Sequence, residues 1–243
     1  MPIQHIVLFD GIERNHLLPL TATRAVADIR VGILTIKVKW EKYFETKVDI
    51  LTQDYLQPKY QYQQKENSIF INAHVLPTKE LANEIKLLNS ESALMMQNKT
   101  IAFQTNQEIK SINDFAAIFN QLHFQISTFS NFQIINFPWD IFTLNGQEIR
   151  NDIQLLGLKP NPEKLSATNT ILGNEIYVED GVSCECSVLN AKDGLIYLAK
   201  DSEIMEGCTI RAPFALGEHA TLKMQTKIYG DTTIGPYCKI GGE

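Results

Sequence analysis

Between Leu198 and Ile240 an aliphatic residue recurs at every sixth position: Leu198, Ile204, Ile210, Leu216, Leu222, Ile228, Ile234 and Ile240. An α-helix repeats at about 3.6 residues and a strand at about 2, so neither accounts for a step of six. The step fits a parallel β-helix of triangular section. Each hexad forms one flat side, the aliphatics stack inside, and three hexads complete a coil. Four residues after the aliphatic stands a small or hydroxyl side chain suited to a tight corner: Ser202, Cys208, Ala220, Thr226, Thr232 or Cys238, with Phe214 the exception. Gly217, Gly235 and Gly241 directly follow their aliphatics and are expected where backbone crowds backbone or φ turns positive. Upstream, Ile176, Val182 and Val188 keep the sixfold step, with Cys186 in a small slot. The ten residues from Val188 to Leu198 predict a four-residue insertion within Leu189 to Leu195.

At 243 residues the chain is long enough for two domains. A formal charge of −6 argues against a general nucleic-acid or membrane-surface binder while leaving room for a local basic pocket. No apolar run approaches the ~20 residues of a membrane span, and MPIQHIVLFD lacks the basic-then-apolar layout of a signal peptide. A cytoplasmic protein is expected. The four cysteines all lie in the repeat half, with spacings that match no zinc motif, and are expected as compact fillers.

The first half alternates strands with helices. Gln4 to Asp10 reads as a buried strand closed by Asp10-Gly11, Lys47 to Thr52 as a second, and Ser68 to Val75 as a third. Helices are expected from Val31 to Phe44, from Thr78 as N-cap to Leu88, from Asn113 to Leu122, and from Trp139 to Leu156 with a possible bend at Asn145-Gly146. Ala93 to Met96 and Thr100 to Phe103 resemble a hairpin, and short strands are expected at Phe124 to Thr128 and Gln133 to Asn136. Gly157 to Thr170 has two prolines and no period, which sets the domains at 1–157 and 158–243. The alternation implies an α/β sandwich on a largely parallel sheet.

Strand, loop with arginines, helix is the layout of a phosphate-binding βα unit. Arg14, Arg24 and Arg30 bracket Leu17 to Thr21 and are the candidate phosphate contacts. Asp10 and Gly11 open the same loop, and Thr21 and Thr23 supply hydroxyls for a nucleotide or for local backbone. Asn72 and His74 stand at the end of the third strand, where open α/β sheets bind ligands.

The blocks LLPLTATRAVADIRVGILTIKVKWEKY (17–43), LTQDYL (51–56), INAHVLP (71–77), PWDIFTLNGQEIRNDIQLL (138–156) and the repeat from Glu203 onward resemble the bacterial N-acetylglucosamine-1-phosphate uridyltransferase family. The likeness is to its divergent branch, which pairs that activity with glucosamine-1-phosphate acetyltransfer. It implies a Rossmann-like α/β nucleotidyltransferase domain followed by a left-handed parallel β-helix. It also implies a transferase that joins UTP to N-acetylglucosamine 1-phosphate with Mg²⁺, in cell-envelope precursor synthesis, as a homotrimer built through the β-helix. Arg14 and Arg24 would be its catalytic cations.

Three departures qualify the likeness. Of the family's Gly-x-Gly-Thr-Arg-Leu-x-Pro-Leu-Thr loop only Leu18-Pro19-Leu20-Thr21 survives, with His16 where the arginine would stand. Ala73-His74 replaces the Gly-Asp whose carboxylate holds the metal, which leaves Asp10, Asp54 and Asp140 as substitute ligands. The repeat stops at Gly241-Gly242-Glu243, before the coils that carry a basic histidine and the acetyl-CoA site. A shortened chain is therefore expected, with acetyl-CoA used only by a longer form. The alternative function is a catalytically degenerate domain that binds nucleotide or sugar phosphate, or acts as a scaffold, on a trimerising stalk.

Overall fold

The computed structural model describes residues 5–96, 99–126 and 132–241. By its contacts the chain divides into two compact units, one of residues 1–29 and 35–140, the other of 30–34 and 141–243. The sequence had suggested a boundary within 157–170. The difference lies in the helix that ends at Leu156, most of which belongs with the repeat. Among the described residues no helix is long and apolar enough to cross a membrane.

In the first unit, β1 (Ile6–Phe9), β2 (Val48–Leu51), β3 (Ile69–Asn72), β4 (Val75–Leu76), β5 (Ser92–Met96), β6 (Lys99–Gln104), β7 (His123–Ile126) and β8 (Gln133–Ile134) form two sheets. Six strands make one sheet in the order β2-β1-β3-β6-β5-β7, and β4 pairs with β8. β1 runs parallel to β2 and β3, β5 runs parallel to β7, and β6 alone runs against its neighbours. The expected "largely parallel" sheet is thus mixed at the β5–β6 hairpin. β1 is buried along its whole length, as a central strand covered on both faces must be. One face packs Phe9, Phe70, Phe103 and Phe115, with Phe70 and Phe103 stacked at 4.8 Å. The expected strand residues Gln4, Ser127 and Thr128 lie outside the described residues.

Two helices of this unit begin at side-chain caps. Thr78 accepts from Leu81 N at the start of α2 (Lys79–Lys86), as its sequence position suggested; Thr35 accepts from Val38 N at the start of α1 (Ile36–Phe44). α1 is therefore five residues shorter at its N-terminus than the expected Val31 start. Gly32 is left-handed at φ 80, and residues 30–34 run with the other unit. The expected Asn113 to Leu122 helix condenses to a 3₁₀ turn and α3 (Phe115–Phe119).

The second unit holds most of α4 (Pro138–Leu156), which runs unbroken through Asn145-Gly146. No bend occurs there. Asn145 instead docks: its side chain donates to Asp231 O and accepts from Gly32 N, and Asp152 accepts from Ile33 N and Leu34 N. Ile149 and Ile153 are buried against Ile33, Tyr177, Tyr197 and Ala215. Phe142, expected on the apolar side, is exposed.

The repeat forms three parallel four-stranded sheets, the architecture of a parallel β-helix. One interior stack is Val178, Leu198, Leu216 and Ile234; another is Cys184, Ile204, Leu222 and Ile240; the third is Ile171, Leu189, Ile210 and Ile228. The hexad register from Leu198 onward is as expected. Upstream it is not, because the residues in register with Leu198, Ile204 and Ile210 are Val178, Cys184 and Leu189, where the sixfold step points to Ile176, Val182 and Val188; Ile176 is also buried inside the coil, paired with Ile196. From Cys184 to Leu189 the hexad is one residue short, and from Leu189 to Leu198 three residues are added. The predicted insertion is real, but it is smaller by one and partly offset by a deletion, leaving two extra residues between Val178 and Leu198.

Corner residues also differ from expectation. The left-handed residue is the third after the aliphatic: Asp201, Gly207, His219, Gln225, Asp231 and Tyr237. Gly217 is required for another reason. A Cβ there would lie 2.6 Å from Pro236 N and 2.7 Å from Gly235 C, whereas Gly235 and Gly241 have space around them. Cys208 fills its small slot, but Cys186 and Cys238 are exposed and Cys184 serves as an interior residue of the stack. Phe214, the one large side chain in the small slots, is fully buried between Ile196 and Thr232.

Candidate functional site

The loop after β1 is closed by one carboxylate. Asp10, 2% exposed, accepts from Arg14 Nε at 2.9 Å, from Val26 N at 2.9 Å and from the Thr52 hydroxyl. Three separate stretches of chain thus meet at the end of β1. Burial pushes the Asp10 carboxyl up from its ordinary value, while Thr52, Val26 and Arg14 pull it back. Arg14 is equally enclosed. Its Nη2 donates to Thr21 O and, at 3.0 Å, to the Tyr55 hydroxyl, and Thr21 Oγ1 returns a bond to Arg14 O. Arg14 and Thr21, both candidate ligand contacts, are therefore mutually engaged in holding residues 10–26 over the sheet.

At the end of β3, Asn72 accepts from His74 N and donates to Thr100 O at 3.2 Å. His74 is 1% exposed and sits with Nδ1 2.6 Å from Ile135 O. A carbonyl only accepts, so Nδ1 carries the proton and Nε2 is the bare acceptor, buried without a partner among the described residues. Burial holds this imidazole below its ordinary pKa, and it is neutral.

Between these two strand ends lies a hollow of about 660 Å³, with Asp10, Gly11, Glu13, Arg14, Gln53, Asn72, Lys99, Thr100 and Asn113 in its lining. Ile112, Phe115, Ala116 and Phe119 contribute apolar lining. It opens at the carboxyl ends of β1 and β3, the place where open α/β sheets bind ligands. Gly11 keeps its floor open: a Cβ there would lie 2.8 Å from Glu13 Oε2 and 3.2 Å from Asn72 Nδ2. Another hollow, of about 380 Å³, lies at the opposite strand ends beside His5, Thr46 and Lys47.

The fold thus brings Asp10, Gly11, Arg14 and Asn72 together, with Thr21 and His74 packed behind them. Thr23 and Arg24 are exposed on the loop and do not line the hollow; Thr23 O accepts from Lys59. Arg30 belongs to the other unit, where its guanidinium donates to Ile33 O and burial lowers its pKa against the pull of Asp152. Lys99 and Glu13 were not among the sequence candidates. Lys99 Nζ lies 3.6 Å from Glu13 Oε1 and also donates to Asn136 Oδ1.

The candidate metal ligands do not fit a protein-held Mg²⁺. Asp10 is occupied by three donors, Asp140 accepts from Asn136 N and Phe137 N at the start of α4, and Asp54 is exposed. Among the described residues no three of His, Cys, Asp and Glu gather in a group that could hold an ion.

A family model described as sugar nucleotidyl transferase matches residues 6–159, well over half of the chain. The chain belongs to the sugar nucleotidyl transferase family. Every residue named around the 660 Å³ hollow falls inside the matched span, as do Thr21, Arg24 and His74. No curated protein matches the chain.

Proposed function

We propose that the hollow at the ends of β1 and β3 binds a nucleoside triphosphate, UTP, together with N-acetylglucosamine 1-phosphate, and joins them. A phosphate oxygen of the sugar 1-phosphate attacks the α-phosphorus in line. The new P–O bond forms as the bond to the β-phosphate bridging oxygen breaks, and pyrophosphate leaves with that electron pair. The observation that carries this reading is the hollow itself, within the sugar nucleotidyl transferase span, lined by polar groups for phosphate and sugar and by Phe115 and Phe119 for a ring. Gly11 and Asn72 face the ligands. Arg24, exposed on the loop and free of partners among the described residues, supplies charge as the loop closes on them. Mg²⁺ enters as the complex of the triphosphate, not on a cluster of protein carboxylates.

Around this core the proposal adds a left-handed hand for the β-helix, a homotrimer assembled through it, and a cytoplasmic role in cell-envelope precursor synthesis. Acetyl-CoA enters only where further coils bearing a basic histidine follow. The test is pyrophosphate release from UTP and N-acetylglucosamine 1-phosphate. It should require Mg²⁺ and fall about 10²-fold in Arg24→Ala, the scale of losing one charge-stabilising donor.

One set of observations favours a second reading, a site that binds without turnover. Arg14 is fully enclosed by Asp10, Thr21 and Tyr55, and a neutral His74 stands near the strand end where a metal-holding carboxylate would serve. A melting-point rise with nucleotide but no turnover with any nucleotide and sugar phosphate pair would select it.

A further inference from the structure

Two cations line the hollow, Arg14 and Lys99, and each faces an acid, Asp10 and Glu13. The pairs are not alike. The Arg14–Asp10 pair is closed at 2.9 Å with both side chains at most 3% exposed, and its members bond to four further groups that hold the loop in place. The Lys99–Glu13 pair is long at 3.6 Å, and the Lys99 side chain is 32% exposed. An incoming phosphate cannot take Arg14 without dismantling the loop, but it can take Lys99 by displacing one carboxylate.

Resting on the nucleotide reading above, we propose that Lys99 is the phosphate-binding cation of this pocket and Glu13 its removable counter-ion. Asn136 makes the exchange workable. It is a neutral acceptor for Lys99 Nζ, and its own N–H is fixed by Asp140 at 2.8 Å. Lys99 therefore stays aimed when Glu13 swings away, and an ammonium with three donors can keep Asn136 while meeting phosphate oxygens. Glu13 sits in the 3₁₀ turn Ile12–Leu17, next to Gly11, so its displacement is a side-chain rotation with no change to the Asp10 network. The pocket discriminates by charge: a dianionic or trianionic phosphate outcompetes the single carboxylate, and neutral sugars leave the pair closed.

Isothermal titration calorimetry with inorganic pyrophosphate and with UTP tests this on the intact chain. Lys99→Gln should weaken pyrophosphate binding roughly tenfold or more, the scale of a charge-assisted hydrogen bond. Glu13→Gln should tighten it severalfold, because the competing carboxylate is gone, and Lys110→Gln, an exposed lysine away from the lining, should change nothing. Unaltered melting points would show that the variants fold. Wild-type affinity for pyrophosphate and UTP in both variants would overturn the Lys99 assignment and leave the nucleotide reading intact. A wild-type protein that binds neither probe would overturn the nucleotide reading, and the Lys99 assignment with it.

Discussion

The β-helix and the loop over β1 stabilise their chains in opposite ways. In the repeat from Leu198 onward each interior residue meets an equivalent aliphatic eighteen residues away, as Leu216 meets Leu198 and Ile234. The cost of a change there is set by local volume. In the loop a single carboxylate, Asp10, gathers Arg14, Val26 and Thr52 from distant stretches of chain, so one substitution is felt across residues 10–26. A repetitive region spreads its stability evenly, whereas a functional loop concentrates it in a few polar groups that also shape the pocket.

The sharpest break of this contrast is Phe214→Ala. The ring is fully buried in the β-helix, and its removal should cost about 4 kcal/mol by urea unfolding, with nucleotide binding per folded molecule unchanged. Arg14→Ala should cost about 3 kcal/mol, the loss on stranding the buried Asp10, and should abolish binding as well because the loop is released. Arg24→Ala should leave stability alone. If Arg14→Ala unfolds no more easily than Arg24→Ala, the loop is not held in the way described.

What the sequence disclosed follows the same division. The hexad period exposed the β-helix because each position in the coil is sampled many times, and one deviant residue such as Phe214 does not hide the rest. It misled upstream of Leu198, where Ile176 and Val178 both face the interior, as Cys184 does with Val182 packed against it, and only strand pairing shows which of them stands in register with Leu198 and Ile204. The strand, loop and strand-end order also disclosed where the site lies. The roles within it were hidden: whether Arg14 faces a ligand or a carboxylate depends on Asp10, Thr21 and Tyr55 meeting in space. Lys99, the first residue of β6, carries no local pattern that marks it as a pocket residue.

Smaller effects sharpen the comparison. Gly217→Ala should cost about 2 kcal/mol, since the new methyl meets backbone of the next coil that cannot move aside, while Gly235→Ala should be close to neutral. In the other unit, His74 gives a pH signature. Its folded-state pKa is lowered, so its contribution to stability is present above the ordinary value of 6.5 and lost as pH falls below it, when the unfolded chain takes up a proton that the folded chain refuses. The slope should be at most about 1.4 kcal/mol per pH unit, and His74→Phe should remove that part of the slope below about pH 6.5.

The placement of the site at the carboxyl ends of β1 and β3 is tested most directly by hydrogen–deuterium exchange with and without UTP. Slower exchange is predicted in residues 10–15, 72–76 and 99–104. Slowing confined to residues 176–240, or no change at any nucleotide concentration, would contradict it.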